Sequence, residues 1–162
     1  MNQPQAVKLT VLPASSGDAD FLFAVYASTR HEELAGWGWP PEQQQSFLKM
    51  QYNARHQSYL AAYPEAETNI LAANDGKIGS MIVHRGPVEI RLVDIAVLVE
   101  HQGRGLGTKA IMGLIAEAEA ARTPLRLSVL RGNRAARLYG RLGFVPAGQD
   151  PMYIEMEYRG DY

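Results

Sequence analysis

Between Ile95 and Thr108 an apolar run, Ile95-Ala96-Val97-Leu98-Val99, passes into a turn with glycine at 103, 105 and 107, and a helical pattern follows at once. This feature limits the fold more than any other. The alternating apolar segment reads as a strand, and the Ile111, Leu114, Ile115 and Ala118 spacing reads as an amphipathic helix over Gly105 to Ala121. Strand and helix are therefore joined through a loop whose glycines adopt positive φ and let the backbone approach a neighbour closely. The first amides of the helix converge on one spot, where the helix dipole also favours negative charge. A bare strand-to-helix turn is the simpler alternative. Three glycines within five residues exceed what such a turn needs, so the loop reads as a seat for phosphate or pyrophosphate.

Two familiar phosphate loops do not fit. A Walker A loop requires Gly-Lys-Ser/Thr, whereas the order here is Gly107-Thr108-Lys109. A dinucleotide fingerprint opens a βαβ unit, but this loop follows a run of strands joined by tight turns. Those strands are Thr68 to Ala73, Ile78 to His84 and Glu89 to Val99, with turns at Asn74-Asp75-Gly76-Lys77 and Gly86-Pro87. In the third, strict alternation puts Ile90, Leu92, Asp94 and Ala96 on one face and Arg91, Val93, Ile95 and Val97 on the other.

Before this meander, Val7 to Leu12 reads as a strand ended by Pro13. Ser15 and Ser16 cap a helix carrying Phe21, Leu22, Val25 and Tyr26. Gly36-Trp37-Gly38-Trp39-Pro40-Pro41 breaks that helix, and Pro41 suits the first turn of the next, whose apolar side is read as Phe47, Met50, Ala54 and Gln57. After the glycine loop come a strand, Leu125 to Leu130, a short helix, Asn133 to Leu142, closed by Gly143, and a last strand, Met152 to Tyr158. The order predicts an α+β fold, a mixed and mostly antiparallel sheet with helices on both faces, and one domain over residues 1–162.

The formal net charge of -1 supplies no basic surplus to draw nucleic acid or an anionic membrane, so neither is expected as a partner. The sequence has no cysteine, which excludes disulfides, thiolate metal sites and a cysteine nucleophile, and no metal is expected. Met1 to Thr10 lacks a basic start followed by an apolar run, and no stretch is long and apolar enough for a bilayer. The expected location is cytoplasmic.

Gln102, Gly105 and Gly107 match the central signature Gln/Arg-x-x-Gly-x-Gly/Ala of the GCN5-related N-acetyltransferase (GNAT) family. Asn133, Leu138-Tyr139 and Gly143-Phe144 match its second signature, one helix and one strand further on. The chain therefore resembles that family from about Val93 to Phe144. The resemblance implies an acetyl-CoA-dependent N-acetyltransferase acting on a small-molecule or peptide amine; a homodimer is compatible with it. It implies a splayed strand pair in which the backbone of Ile95, Ala96 and Val97 holds the pantetheine arm. Gln102 and the backbone from Gly103 through Arg104, Gly105, Leu106 and Gly107 to Thr108 would hold the pyrophosphate. Asn133 and Arg137 would lie near the arm or the adenosine phosphate.

Acyl transfer from a thioester needs a neutral amine, donors for the developing oxyanion and a proton for the thiolate. Without cysteine, direct attack in a ternary complex is the simplest route. The resemblance assigns the acid to Tyr139, and the amide of Val97 or Leu98 is the oxyanion donor. The sequence singles out no base; Glu89, Asp94 and His84 lie on strands that could approach the acceptor, and Asp94 reads more simply as the structural partner of Arg91 or Arg126. The segment from Arg30 to Trp39 reads equally as a lid over the acceptor or a plug over the core, and Met50, Gln51, Tyr52 and Tyr59 read as core. A non-catalytic acyl-CoA-binding module is the alternative function.

Overall fold

In the computed structural model, which describes residues 7–74 and 76–161, the chain runs β1 (Thr10–Pro13), α1 (Ala19–Ala35), α2 (Pro41–Ala62), β2 (Glu67–Ala73), β3 (Gly76–Arg85), β4 (Ile90–Val97), α3 (Leu106–Ala121), β5 (Leu125–Leu130), α4 (Ala135–Arg141), β6 (Val145–Gln149) and β7 (Tyr153–Tyr158). One seven-stranded sheet takes the order β1-β2-β3-β4-β5-β7-β6. The β4–β5 pair is parallel and the others antiparallel. The fold is the expected α+β arrangement, with one strand more than the sequence pattern shows. The additional β6 is an exposed edge strand containing Pro146 and Gly148, residues that edges tolerate and that hide a strand pattern. Of the Asn74-to-Lys77 turn, Asp75 lies outside the described residues, and Gly76 takes φ +102° as a hairpin turn demands.

Helices cover both faces. On one, α3 presents Leu106, Ala110, Ile111, Leu114 and Ala118, all buried, to Ile90, Leu92, Leu125 and Leu127 of the sheet. Burying each such Leu or Ile contributes about 1.5–3 kcal/mol. On the other, α1 and α2 form their own cluster from Phe23, Tyr26, Leu34 and Leu48. The inward side of α2 differs from the expected one: Leu48 is buried, whereas Met50 is 61% exposed and Ala54 and Gln57 are exposed. Tyr26 and Tyr52 meet between the two helices, with ring centroids 5.5 Å apart, and so set that side.

Two details of β4 position everything that follows. First, Ile82 pairs with Asp94 and Val83 with Leu92, so Val93 is an extra residue, a β-bulge. The slip reverses the alternation beyond it. Ile90, Leu92, Ile95 and Val97 face the α3 core together, and Asp94 is turned toward α2. Second, β4 pairs with β5 only at Ile90–Leu125 and Arg91–Arg126, whereas β5 pairs with β7 along its whole length. Past Arg91 the two parallel strands part, and the bulge that bends β4 stands at the point of divergence.

Candidate active site

A cavity of about 680 Å³ opens beside β4, beyond the point where that strand parts from β5. One wall is β4 with the glycine loop, the start of α3 and α4, and the other is α1 and α2.

The β4 wall offers a free backbone edge. Leu98 N–H donates to Ile78 C=O at 2.8 Å. Antiparallel pairs alternate between bonded and non-bonded, so Ala96 bonds Ser80, and Ile95 and Val97 direct their amides and carbonyls away from β3 into the opening. A Cβ on Gly79 would lie 2.3 Å from the Ala96 carbonyl oxygen, so the strands approach here more closely than any side chain at that position allows. Of the two oxyanion donors considered, Leu98 is thus engaged and Val97 is open. Gln102 Nε2 donates to the Val97 carbonyl at 3.0 Å and ties the loop to the strand.

Gly103 and Gly105 adopt φ +79° and +75°, which only glycine takes without strain. Gly105 caps α3, and the first helical bond runs from Lys109 N–H to Gly105 C=O at 3.0 Å. The amides of Leu106, Gly107 and Thr108 therefore have no intrahelical acceptor, and all three residues line the cavity. Such a cradle fits a phosphate group.

The other expected cofactor positions divide. Asn133 lines the cavity and accepts a bond from Ala135 N–H on Oδ1 at 2.9 Å, which starts α4. Arg104 and Arg137 are exposed and outside the lining, whereas Arg141 lines it. Arg104 reaches His101 Nδ1 at 3.1 Å.

Tyr139 is 8% exposed, packed on Phe144 with ring centroids 5.7 Å apart. It lines the cavity, and its hydroxyl bonds no described residue. Burial, and then the Asp94 charge, raise its pKa above the ordinary 10.0, so the hydroxyl keeps its proton.

Of Glu89, Asp94 and His84, only Asp94 lines the cavity. Glu89 is engaged by Arg91, and His84 packs against the Tyr63 ring at a tilt of 41°. The partner of Asp94 is neither Arg91 nor Arg126. Arg91 joins Glu89 and Glu155, and Arg126 joins Glu89 and Glu157. Arg55 Nη2 donates instead to Asp94 Oδ1 at 2.5 Å, because α2 lies over the face to which the bulge turns Asp94. Burial raises the Asp94 pKa above 3.8 despite the pull of Arg55 and of the neighbouring Ile95 amide. Burial opposes the Arg55 charge, but Asp94 and Tyr59 outweigh it and its pKa rises too.

Arg55 donates through Nε to the Tyr59 hydroxyl at 2.5 Å and lies over the Tyr59 and Tyr26 rings, 5.3 and 5.6 Å from their centroids. Tyr26, Tyr52, Arg55, His56 and Tyr59 all line the cavity, so Tyr52 and Tyr59 belong to the site as well as to the packing. Helical spacing marks which residues share a side but not that the side meets a cavity. Trp37 and Trp39 pack on each other and on Phe47, at 5.0, 5.6 and 5.2 Å, and neither lines the cavity. The segment forms an aromatic cluster of its own, with Trp37 44% exposed.

The family model for the acetyltransferase (GNAT) domain matches residues 65–146, about half the chain. No curated protein matches the sequence. Among solved structures, the fold is similar to the PaiA N-acetyltransferase of Thermoplasma acidophilum in complex with coenzyme A, with TM-score 0.69 and 18% identity over 94% of this chain and 99% of that one. An acetyltransferase from Thermus thermophilus gives 0.69 at 21% identity over 96% and 99%. A GNAT family acetyltransferase from Elizabethkingia anophelis with acetyl-CoA bound gives 0.61 at 15% identity over 94% and 98%. With the β4–β5 opening, the glycine cradle and the matched segment in agreement, the chain belongs to the GNAT acetyltransferase family.

Proposed function

We propose that the chain is a one-domain N-acetyltransferase that moves the acetyl group of acetyl-CoA to a primary amine by direct attack in a ternary complex. The observation that carries this reading is the meeting of Tyr139, Asp94 and the open Val97 edge in one cavity. The Gly103–Thr108 amides would hold the pyrophosphate, and the outward carbonyls of Ile95 and Val97 would accept from the amides of the pantetheine arm as an added strand does. The Val97 amide would donate to the oxyanion. Asp94 would accept the proton that the amine loses, through the oxygen that Arg55 does not hold. The amine nitrogen bonds the acetyl carbon as the carbon–sulfur bond breaks, and Tyr139 gives the thiolate its proton.

The reading is tested by melting temperature and thiol release together. Acetyl-CoA at about a hundred times its dissociation constant stabilises the native state by about 2.7 kcal/mol, while ATP with Mg²⁺ gives a much smaller shift. An amine-dependent release of CoA thiol is then expected. A melting shift with no release from any amine would favour a non-catalytic acyl-CoA-binding module.

A further inference from the structure

We infer that the acceptor is a small zwitterion, an α-amino acid or a close homologue, held with its amine toward Asp94 and its carboxylate on Arg55. This rests on the acetyltransferase reading and specifies its second substrate.

The charges around the cavity support it. Asp94 is the one carboxylate among the described lining residues, and its Oδ1 is already held by Arg55. The lining also carries the guanidinium of Arg141. An acceptor with several ammonium groups would enter a wall with more fixed positive than negative charge and no spare carboxylate. A zwitterion brings the anion that this wall lacks.

The guanidinium is prepared for that anion. Nε is committed to Tyr59 and one Nη2 hydrogen to Asp94, and the plane lies over two tyrosine rings. Nη1 makes no hydrogen bond with a described residue, although the side chain is 41% exposed and lines the cavity. Arginine has five donors in a rigid fork suited to a carboxylate, and these contacts leave one side of the fork open while fixing its plane. Tyr52, stacked on His56 at 6.1 Å, adds a phenol to the same wall.

Spacing narrows the class further. The guanidinium and Asp94 are in direct contact at 2.5 Å, so their open donors and acceptor lie side by side. A ligand meeting both must carry its amine and carboxylate only a few bonds apart. A free α-amino acid does so. The N-terminal residue of a peptide, whose carboxyl is an amide, does not.

The test is thiol release from acetyl-CoA with the standard amino acids, their carboxamides, a tetrapeptide, an alkyl monoamine and spermidine. At least one amino acid is expected to exceed its carboxamide in kcat/KM by roughly tenfold or more, since a site with a committed polar partner rejects the analogue that leaves it unpaired. Arg55→Gln should remove that difference, mostly through KM, while Arg55→Lys keeps part of it because the charge stays and the fork is lost. Should Arg55→Gln fail to fold, Arg55→Lys and the wild-type comparison of acid with amide still decide. Equal rates for acids and amides, or turnover only of spermidine, the monoamine or the peptide, overturn the inference and leave the acetyltransferase reading intact. No turnover of any amine overturns the inference, and the absence of a melting shift with acetyl-CoA would then remove the parent reading as well.

Discussion

Arg55 of α2 donates to Oδ1 of Asp94 on β4 at 2.5 Å, and this contact joins the two walls of the cavity. Asp94 stands where the walls meet. Its charge is felt by Tyr52 and Tyr59 on one side and by Tyr139 on the other, in each case after burial as the larger influence. A carboxylate so placed can take a proton from the acceptor and hold the opposite phenol in its protonated form.

Asp94→Asn keeps the shape and the bond from Arg55 but removes the base. The expected loss in kcat is about 10²–10⁴-fold, with CoA affinity unchanged. A base works deprotonated, so wild-type rate falls as pH drops through the Asp94 pKa, which burial sets above 3.8. That acid limb should disappear in Asp94→Asn. In Arg55→Gln it should move to higher pH, because the cation that lowers the Asp94 pKa is gone. Identical acid limbs in wild type and both variants would show that Asp94 is not the base.

Gly107 gives the cleaner test of the phosphate cradle. Gly103 and Gly105 take positive φ, so any side chain there strains the fold itself. A Cβ at Gly107 meets only Val97 Cγ2, at an ordinary 3.8 Å. Gly107→Val should therefore keep its circular dichroism and melting temperature while acetyl-CoA affinity falls tenfold or more, about 1.4 kcal/mol. Calorimetric titration with unchanged affinity would place the pyrophosphate elsewhere.

Most of the fold was legible because its signals are local. The apolar run at Ile95, the glycines after it and the Gly143 stop each act within a few residues. What was hidden depends on long-range packing. The bulge at Val93 leaves no mark in an alternating sequence, yet it decides that Asp94 turns toward α2 and Arg55 instead of into the α3 core beside Leu92. Arg55 and Tyr59 look like the polar and packing positions of any amphipathic helix, since their role comes from a strand 39 residues away. Arg137 and Arg141 share a helical face in sequence, and only the turn of α4 against the cavity separates them.

Another ion pair, outside the cavity, ties the N-cap of α1 to β3. Lys77 Nζ donates to Asp18 Oδ1 at 2.5 Å, and Ser15 N–H donates to Oδ2 at 2.8 Å. The Lys77 bond first, and the Ser15 amide next, hold the Asp18 pKa below 3.8. A depressed carboxylate contributes stability above its unfolded value and loses it as pH falls through the folded one. Asp18→Asn should thus melt below wild type at neutral pH, with the gap closing below pH 3.8. A gap that stays constant across that range would mean that the charge of Asp18 adds nothing.

Tyr139→Phe removes only a hydroxyl from a ring already packed on Phe144. The fold should hold, since the hydroxyl bonds no described residue, and CoA affinity should barely change because the group acts as sulfur becomes charged. Turnover should drop by roughly 10²–10⁴-fold if this hydroxyl supplies the proton, and less if water can deliver it. The pH profile separates the cases. An acid works protonated, so wild-type rate falls as pH rises through the Tyr139 pKa, which burial and then Asp94 place above 10.0. Removing the Asp94 charge should bring this basic limb to lower pH in Asp94→Asn, and removing the hydroxyl should abolish it in Tyr139→Phe. Wild-type rates across the whole profile in Tyr139→Phe would assign the residue to packing alone and leave the transfer to positioning and the Val97 amide.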